Sequence, residues 1–185
     1  MKKIIFAFAL MLMGVSTSAQ VTLTESGVFE QKEVVNVEGV SAQNLYLRAI
    51  EALSDWTGTD GRSKFGIDHQ DKESATIIYK GKDYLGFRKF GGIYGWYIFA
   101  DFTLKVRCKE GKAQVTVIIP TMTAEFMVNN ISATIPLSEI TPDYTYKGKT
   151  NCKKAILQYV TEVPTAASRM IKLISTKLRQ QEDDF

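Results

Sequence analysis

Histidine is almost missing from this 185-residue chain, occurring once at His69, and cysteine occurs only at Cys108 and Cys152. A single imidazole excludes mechanisms that need two, and two thiols so far apart do not have the spacing of a zinc site. Proline is scarce as well, with 4 residues, and no stretch rich in Pro, Ser or Gly divides the chain. There is no internal repeat and no low-complexity tract, so one domain is expected. Neither sign of charge dominates, with 23 basic residues against 20 acidic ones.

Long apolar runs are limited to one, at the start. Lys2 and Lys3 precede an apolar stretch from Ile4 to Val15, and Ser16, Thr17, Ser18 and Ala19 follow it. Such a run falls short of the roughly 20 residues that span a bilayer, and the small residues after it suit signal peptidase. The expectation is a signal peptide over 1–19 and a single α+β domain over 20–185, exported to the periplasm or secreted, with no transmembrane segment. No cysteine follows the run, which argues against a lipid anchor at a new N-terminus. Cleavage would remove Lys2 and Lys3 and leave 21 basic against 20 acidic residues. Nucleic-acid affinity rests largely on neutralised phosphates, so a nearly neutral chain implies no nucleic-acid partner. The local group Lys147, Lys149, Lys153 and Lys154 reads as a solvated loop and helix start.

Export also makes a Cys108–Cys152 disulfide possible, which would stabilise by roughly 4 kcal/mol on the chain-entropy model. Two unpaired, half-buried thiols are the other reading, and composition does not decide between them.

What the sequence does contain is alternation. Gly27 to Val37 carries Val34, Val35 and Val37 and reads as a strand. Ser41 is a helix N-cap, and Ala42, Leu45, Tyr46, Ala49, Ile50, Leu53 and Trp56 follow at spacings of three and four, with Gly58 closing the helix. Phe65, Ile67 and His69, the turn Asp71-Lys72-Glu73, and Ala75, Ile77 and Tyr79 form a hairpin. The strongest strand runs from Ile93 to Cys108. Tyr94, Trp96, Ile98, Ala100, Phe102, Leu104, Val106 and Cys108 occupy one parity, and Asp101, Thr103, Lys105 and Arg107 the other. Lys109-Glu110-Gly111-Lys112 turns into Ala113, Val115, Val117 and Ile119. The span from Asn129 to Thr150 reads as a connection. A short helix around Ala155 and Ile156 precedes Pro164, and Ala167, Met170, Ile171, Ile174 and Leu178 stripe a final helix. The fold expected is α+β, an antiparallel sheet of about five strands with two main helices on one face, in the order β-α-β-β-β-β-α.

That order corresponds to the half-repeat of the TATA-box-binding-protein fold. The leader, "VEGVSAQNLYLRAIEAL" at the first helix, "DKESATIIYKG" at a turn and strand, and "DFTLKVRCKEGKAQ" at the long hairpin make the chain resemble a family of exported bacterial proteins of unknown function with that fold. The resemblance covers most of the mature chain. It implies an envelope or secreted domain and carries over no functional residue, since a fold does not imply a function.

Chemistry offers little. Asp68 and Asp71 flank His69, yet alternation sends Asp68 to the opposite face, and no Gly-x-Ser-x-Gly elbow is present. "YKGKT" at Tyr146 to Thr150 lacks the earlier glycine of a phosphate loop, for position 143 is aspartate. Asp101, Glu125 and Glu139 are carboxylates without a motif. No catalytic residue, metal site or cofactor is assigned, and an enzyme is not the favoured reading. The segment "DYLGFRKFGGIYGWYIFADF", Asp83 to Phe102, holds eight aromatic residues and four glycines. Tyr94, Trp96 and Phe102 share the core parity. Tyr97 and Phe99 point the other way and, with Phe87 and Phe90, form a candidate interaction surface on the sheet's open face. The reading favoured is an exported binding or assembly module of the cell envelope. Its partner would be an envelope protein, a peptide, a glycan or a second copy. A periplasmic hydrolase, or a small-molecule carrier with a pocket between sheet and helices, is the alternative.

Overall fold

The computed structural model describes residues 23–56, 61–89, 92–128, 131–139 and 151–180, with backbone alone over 151–153. The leader, Gly58, Phe90 and "YKGKT" lie outside these residues. Six strands make one antiparallel sheet. They are β1 (Phe29–Asn36), β2 (Lys64–Asp71), β3 (Thr76–Lys89), β4 (Gly95–Lys109), β5 (Lys112–Phe126) and β6 (Ser132–Pro136). Spatial order is β1-β5-β4-β3-β2, and β6 continues the β1 side by pairing with the second half of β5. The helices α1 (Ala42–Ser54), α2 (Asn151–Tyr159) and α3 (Val163–Arg179) pack on the sheet. The α+β architecture expected from the alternation is therefore present, with one strand more than expected.

Strand β4 sits at the centre, paired along its length to β3 on one side and β5 on the other. Its apolar parity faces the helices, and Ile98, Ala100, Phe102, Leu104 and Val106 are all buried. Side chains on successive residues alternate across a strand, so one parity becomes a continuous apolar floor. Onto it α1 brings Leu45, Tyr46, Ala49 and Leu53, and α3 brings Met170, Ile171, Ile174 and Leu178. Burying a Leu or Ile side chain contributes roughly 1.5–3 kcal/mol, so this interface holds the layers together. Ser41 caps α1 by accepting from the Asn44 amide at 3.1 Å. Pro164 stands in the first turn of α3, where the missing amide hydrogen costs no helical bond.

Two polar ties pin the helices. Asp83, fully buried on the helix-facing side of β3, pairs with Arg169 of α3. Arg48 of α1 is 9% exposed although it carries a charge. Its guanidinium donates to the Leu178 carbonyl at 3.1 Å, satisfying an acceptor at the end of α3 that the helix leaves open.

Several elements differ from the expectation. Strand β3 does not stop near Lys80 but runs on to Lys89, through Gly81 and Gly86. Both glycines are close-approach positions. A β-carbon on Gly81 would meet Phe65 of β2 at 2.4 Å, and one on Gly86 would meet the Tyr159 ring of α2 at 2.3 Å. Strand β4 begins at Gly95, so Tyr94 lies in the preceding turn and is exposed rather than core. Strand β6 falls inside the span read as a connection, because five residues with Ser, Thr and Pro carry too short an alternation to stand out. A bulge at Asp68 shifts the register of β2, and His69 pairs with Ile78 on the outer face, exposed.

The Cys108–Cys152 bridge does not fit this topology. Cys108 is a free, buried thiol at the end of β4 nearest the Lys109–Lys112 turn. The Cys152 side chain lies outside the described residues, but its helix is held at the other end of β4. There Arg88, register partner of Trp96, donates to the Lys154 carbonyl at 2.6 Å. From Trp96 to Cys108 is twelve residues of strand, at about 3.3 Å each, whereas bridged cysteines keep their α-carbons within about 7 Å.

Replacing Gly86 by valine should lower stability by about 1–3 kcal/mol, as overpacking does, and Tyr159→Ala in the same chain should restore part of the loss. Denaturant melts of the single and double variants check it. Burial pushes the Cys108 thiol from 9.0 up to about 11. A raised acid favours the neutral form in the fold, so this contribution is complete below pH 9 and is lost as pH rises toward 11. The stability advantage of wild type over Cys108→Ala should hold from pH 8 to 9 and shrink from pH 9 to 11 in melts, and peptide mapping at pH 8 should find Cys108 unalkylated until the protein is unfolded.

Candidate functional site on the open sheet face

The face away from the helices carries the opposite parity. Register places Tyr84 and Phe87 of β3, Tyr97, Phe99 and Asp101 of β4, Thr121, Thr123 and Glu125 of β5, and Ser132 and Thr134 of β6 on it. Tyr97 and Phe99 thus lie on the expected side, but their surroundings differ. Phe99 is 3% exposed and Tyr84 8%, their centroids 5.8 Å apart, so neither ring is free to meet a partner. Tyr97 and Phe87 are half-buried and in contact at 5.1 Å. Phe90, the fourth member of the expected surface, lies outside the described residues.

The residues leading into β2 explain this burial in part. Arg62 lays its guanidinium 5.4 Å from the Tyr84 ring centroid and 5.0 Å from that of Tyr97. A cation over an aromatic face at an exposed site is worth about 0.5–1 kcal/mol. Ser63 then accepts from the Tyr84 amide at 3.1 Å and donates to Asp83 at 3.0 Å. Tyr97 is left with its ring held between Phe87 and Arg62.

Beside it lies an open cavity of about 360 Å³, lined by Lys64, Tyr97, Glu125, Phe126, Met127 and Ser132. A polar network borders the cavity. Lys82 Nζ is 3.1 Å from Glu125 Oε1 and 3.9 Å from Asp101 Oδ1, and Lys64 Nζ is 3.9 Å from Glu125 Oε2. Thr121 and Thr123 each donate to Asp101 Oδ2 at 2.7 Å. The arrangement offers an apolar ring flanked by an ammonium, a carboxylate and the Ser132 hydroxyl, which suits recognition of a ligand with both apolar and hydrogen-bonding edges.

Of the carboxylates singled out in the sequence, Asp101 and Glu125 come together around Lys82, while Glu139 is exposed in a 3₁₀ turn after β6. His69 gathers no catalytic partner from its neighbours. Asp68 pairs with Lys80 at 3.0 Å. Asp71 caps the β2–β3 turn, and hydrogen bonds from Ser74, its hydroxyl foremost, hold the carboxyl below its ordinary range. Among the described residues no group of three or more His, Cys, Asp or Glu is placed to hold a metal. Nor is any described helix long and apolar enough to cross a membrane. Alternation missed Arg62, Lys64, Met127 and Ser132, which reach the site from loops and neighbouring strands.

A single antiparallel sheet with helices on it and this connectivity is the TATA-box-binding-protein-like class of α+β fold. Residues 32–122 match the family described as a domain of unknown function (DUF4468) with TBP-like fold, and that stretch belongs to it. Two solved structures share the architecture. One, a DUF4468 family protein from Bacteroides ovatus, is 15% identical with a TM-score of 0.56, over 89% of this chain and 94% of that one. The other, a TBP-like protein from Parabacteroides distasonis, is 11% identical with a TM-score of 0.57, over 88% of this chain and 99% of that one. At these identities the likeness is one of fold. No curated protein matches the sequence.

Replacing Lys82 by methionine leaves Asp101 and Glu125 without their shared cation. The variant should lose about 1 kcal/mol at pH 7. The loss should shrink as added salt screens the ion pairs, a trend that melts at low and high ionic strength would record.

Proposed function

We propose that this chain is an exported binding module of the cell envelope, taking a glycan on the open sheet face around Tyr97. The observation that carries the reading is the half-buried Tyr97 ring, fixed by Phe87 and Arg62 in the lining of the 360 Å³ cavity. A fixed ring costs little ordering entropy when a ligand stacks on it. A saccharide presents one apolar face and a rim of hydroxyls, which suits a lining that combines the Tyr97 ring with Lys64, Glu125 and Ser132. The volume lies within the roughly 300–1,000 Å³ of small-ligand sites. Export rests on the leader at residues 1–19 and supports an envelope ligand.

The experiment is a titration of the mature chain with soluble peptidoglycan fragments and surface oligosaccharides, followed by amide chemical shifts. Shifts should gather on Tyr97, Glu125 and Ser132. Tyr97→Ala should weaken binding by about tenfold or more, equivalent to about 1.4 kcal/mol, while amide shifts away from the open sheet face stay those of wild type. His69→Ala, exposed on β2 and outside the cavity lining, should leave affinity unaltered. Saturable shifts confined to the helix-covered side would overturn the assignment.

A further inference from the structure

Nine large apolar side chains are exposed among the described residues, and four of them, Val34, Leu47, Ile67 and Leu173, lie on separate elements. Scattered single residues of this kind need no explanation. The other five, Ile93, Tyr94, Met127, Val128 and Ile131, gather at one end of the sheet, in the turn before β4 and the turn between β5 and β6. The turns are adjacent in space. Met127 donates its amide to the Gly95 carbonyl at 3.3 Å, Phe126 donates to Ile131 at 2.8 Å, and the Tyr94 and Phe126 rings are 6.4 Å apart. Ile93 is 77% exposed, Val128 58% and Ile131 55%. The five apolar side chains therefore lie where two neighbouring turns meet at one end of the sheet.

Charge narrows the occupant. Arg88 and Lys89 lie at the end of β3 beside Trp96 and Gly95, Lys154 is held there through the Arg88 contact to its carbonyl, and Lys64 flanks Met127 in the cavity lining. On the described parts of these turns and of the strand ends flanking them, residues 84–98 and 124–135, the one acidic residue is Glu125, which Lys82 already holds. The end is therefore apolar at its tip and basic behind it. That sequence of layers matches an anionic bilayer, whose headgroups pair with Lys and Arg while aliphatic residues and a tyrosine enter the acyl boundary.

We propose that the hairpin end bearing Ile93, Tyr94, Met127, Val128 and Ile131 docks peripherally on an anionic lipid surface. This goes beyond the glycan reading and does not require it. Docking there would present the neighbouring Tyr97 cavity close to the membrane plane.

The test is co-sedimentation of the mature chain with vesicles of phosphatidylethanolamine and phosphatidylglycerol, and with vesicles of phosphatidylcholine alone. Wild type should pellet with the anionic vesicles and much less with the neutral ones. The double variant Ile93→Ser with Val128→Ser removes two exposed side chains, so it should fold as wild type does and bind the anionic vesicles about tenfold or more weakly. Lys89→Glu should weaken binding to anionic vesicles only, and Tyr97→Ala should bind vesicles as wild type does. Failure to pellet with anionic vesicles, or pelleting unaffected by the double serine variant, would overturn the proposal. Light scattering without lipid provides the remaining control. A wild-type dimer that the double variant converts to monomer would assign this end to a second copy of the chain and overturn lipid docking.

Discussion

Strand β4 is the constraint on which the other elements depend. Paired on both sides, it can place side chains only above or below the sheet, and its sequence gives those two directions different jobs. The residues from Trp96 to Cys108 on one parity are buried beneath the helices, and no polar side chain interrupts them. The other parity changes character along its length, from Tyr97 and Phe99 at one end, through Asp101, to Lys105 and Arg107 at the other. A one-residue slip in register would exchange the two sets and expose the core, so the pairing is strongly specified. The helices, the buried Asp83–Arg169 pair and the aromatic end of the outer face all take their positions from that register.

The outer face is accordingly not uniform. Toward Arg107 it is a solvated, charged surface. At its aromatic end Tyr84 and Phe99 are enclosed by neighbouring side chains, among them Arg62, and Tyr97 alone of the three keeps part of its ring open to the cavity. Asp101 separates the two regions, its carboxylate bound by Lys82, Thr121 and Thr123, so a charge beside the aromatic end is compensated rather than left unpaired. The apolar hairpin tips lie just beyond. Cavity and tips share Met127, and a ligand in one would lie near whatever covers the other.

Much of this was legible in the residues. Alternation over Trp96 to Cys108 gave the central strand and its buried side, Ser41 marked the start of α1, and the stripe from Ala167 to Leu178 gave α3. These signals are local, repeated over many residues and read by period alone. What could not be read depended on partners distant in sequence. Gly81 and Gly86 look like breaks until Phe65 and Tyr159 are seen packed over them. Nothing local to Arg48 signals its burial, which depends on the carbonyl that the end of α3 presents. Phe99 has the parity of an exposed ring, yet cross-strand contacts with Tyr84 and the closing of the outer face around them bury it. Parity gives direction, and only tertiary contacts give exposure.

The central claim is that exposure is graded from the turns at the end of the sheet into the outer face, open at Tyr94 and Met127, partly open at Tyr97 and closed at Phe99 and Tyr84. Hydroxyl-radical footprinting of the mature chain, read residue by residue by mass spectrometry, measures that gradient directly. The account predicts rapid oxidation of Tyr94 and Met127, slower oxidation of Tyr97, and protection of Phe99 and Tyr84. Oxidation of Phe99 as fast as that of Tyr94 would contradict it.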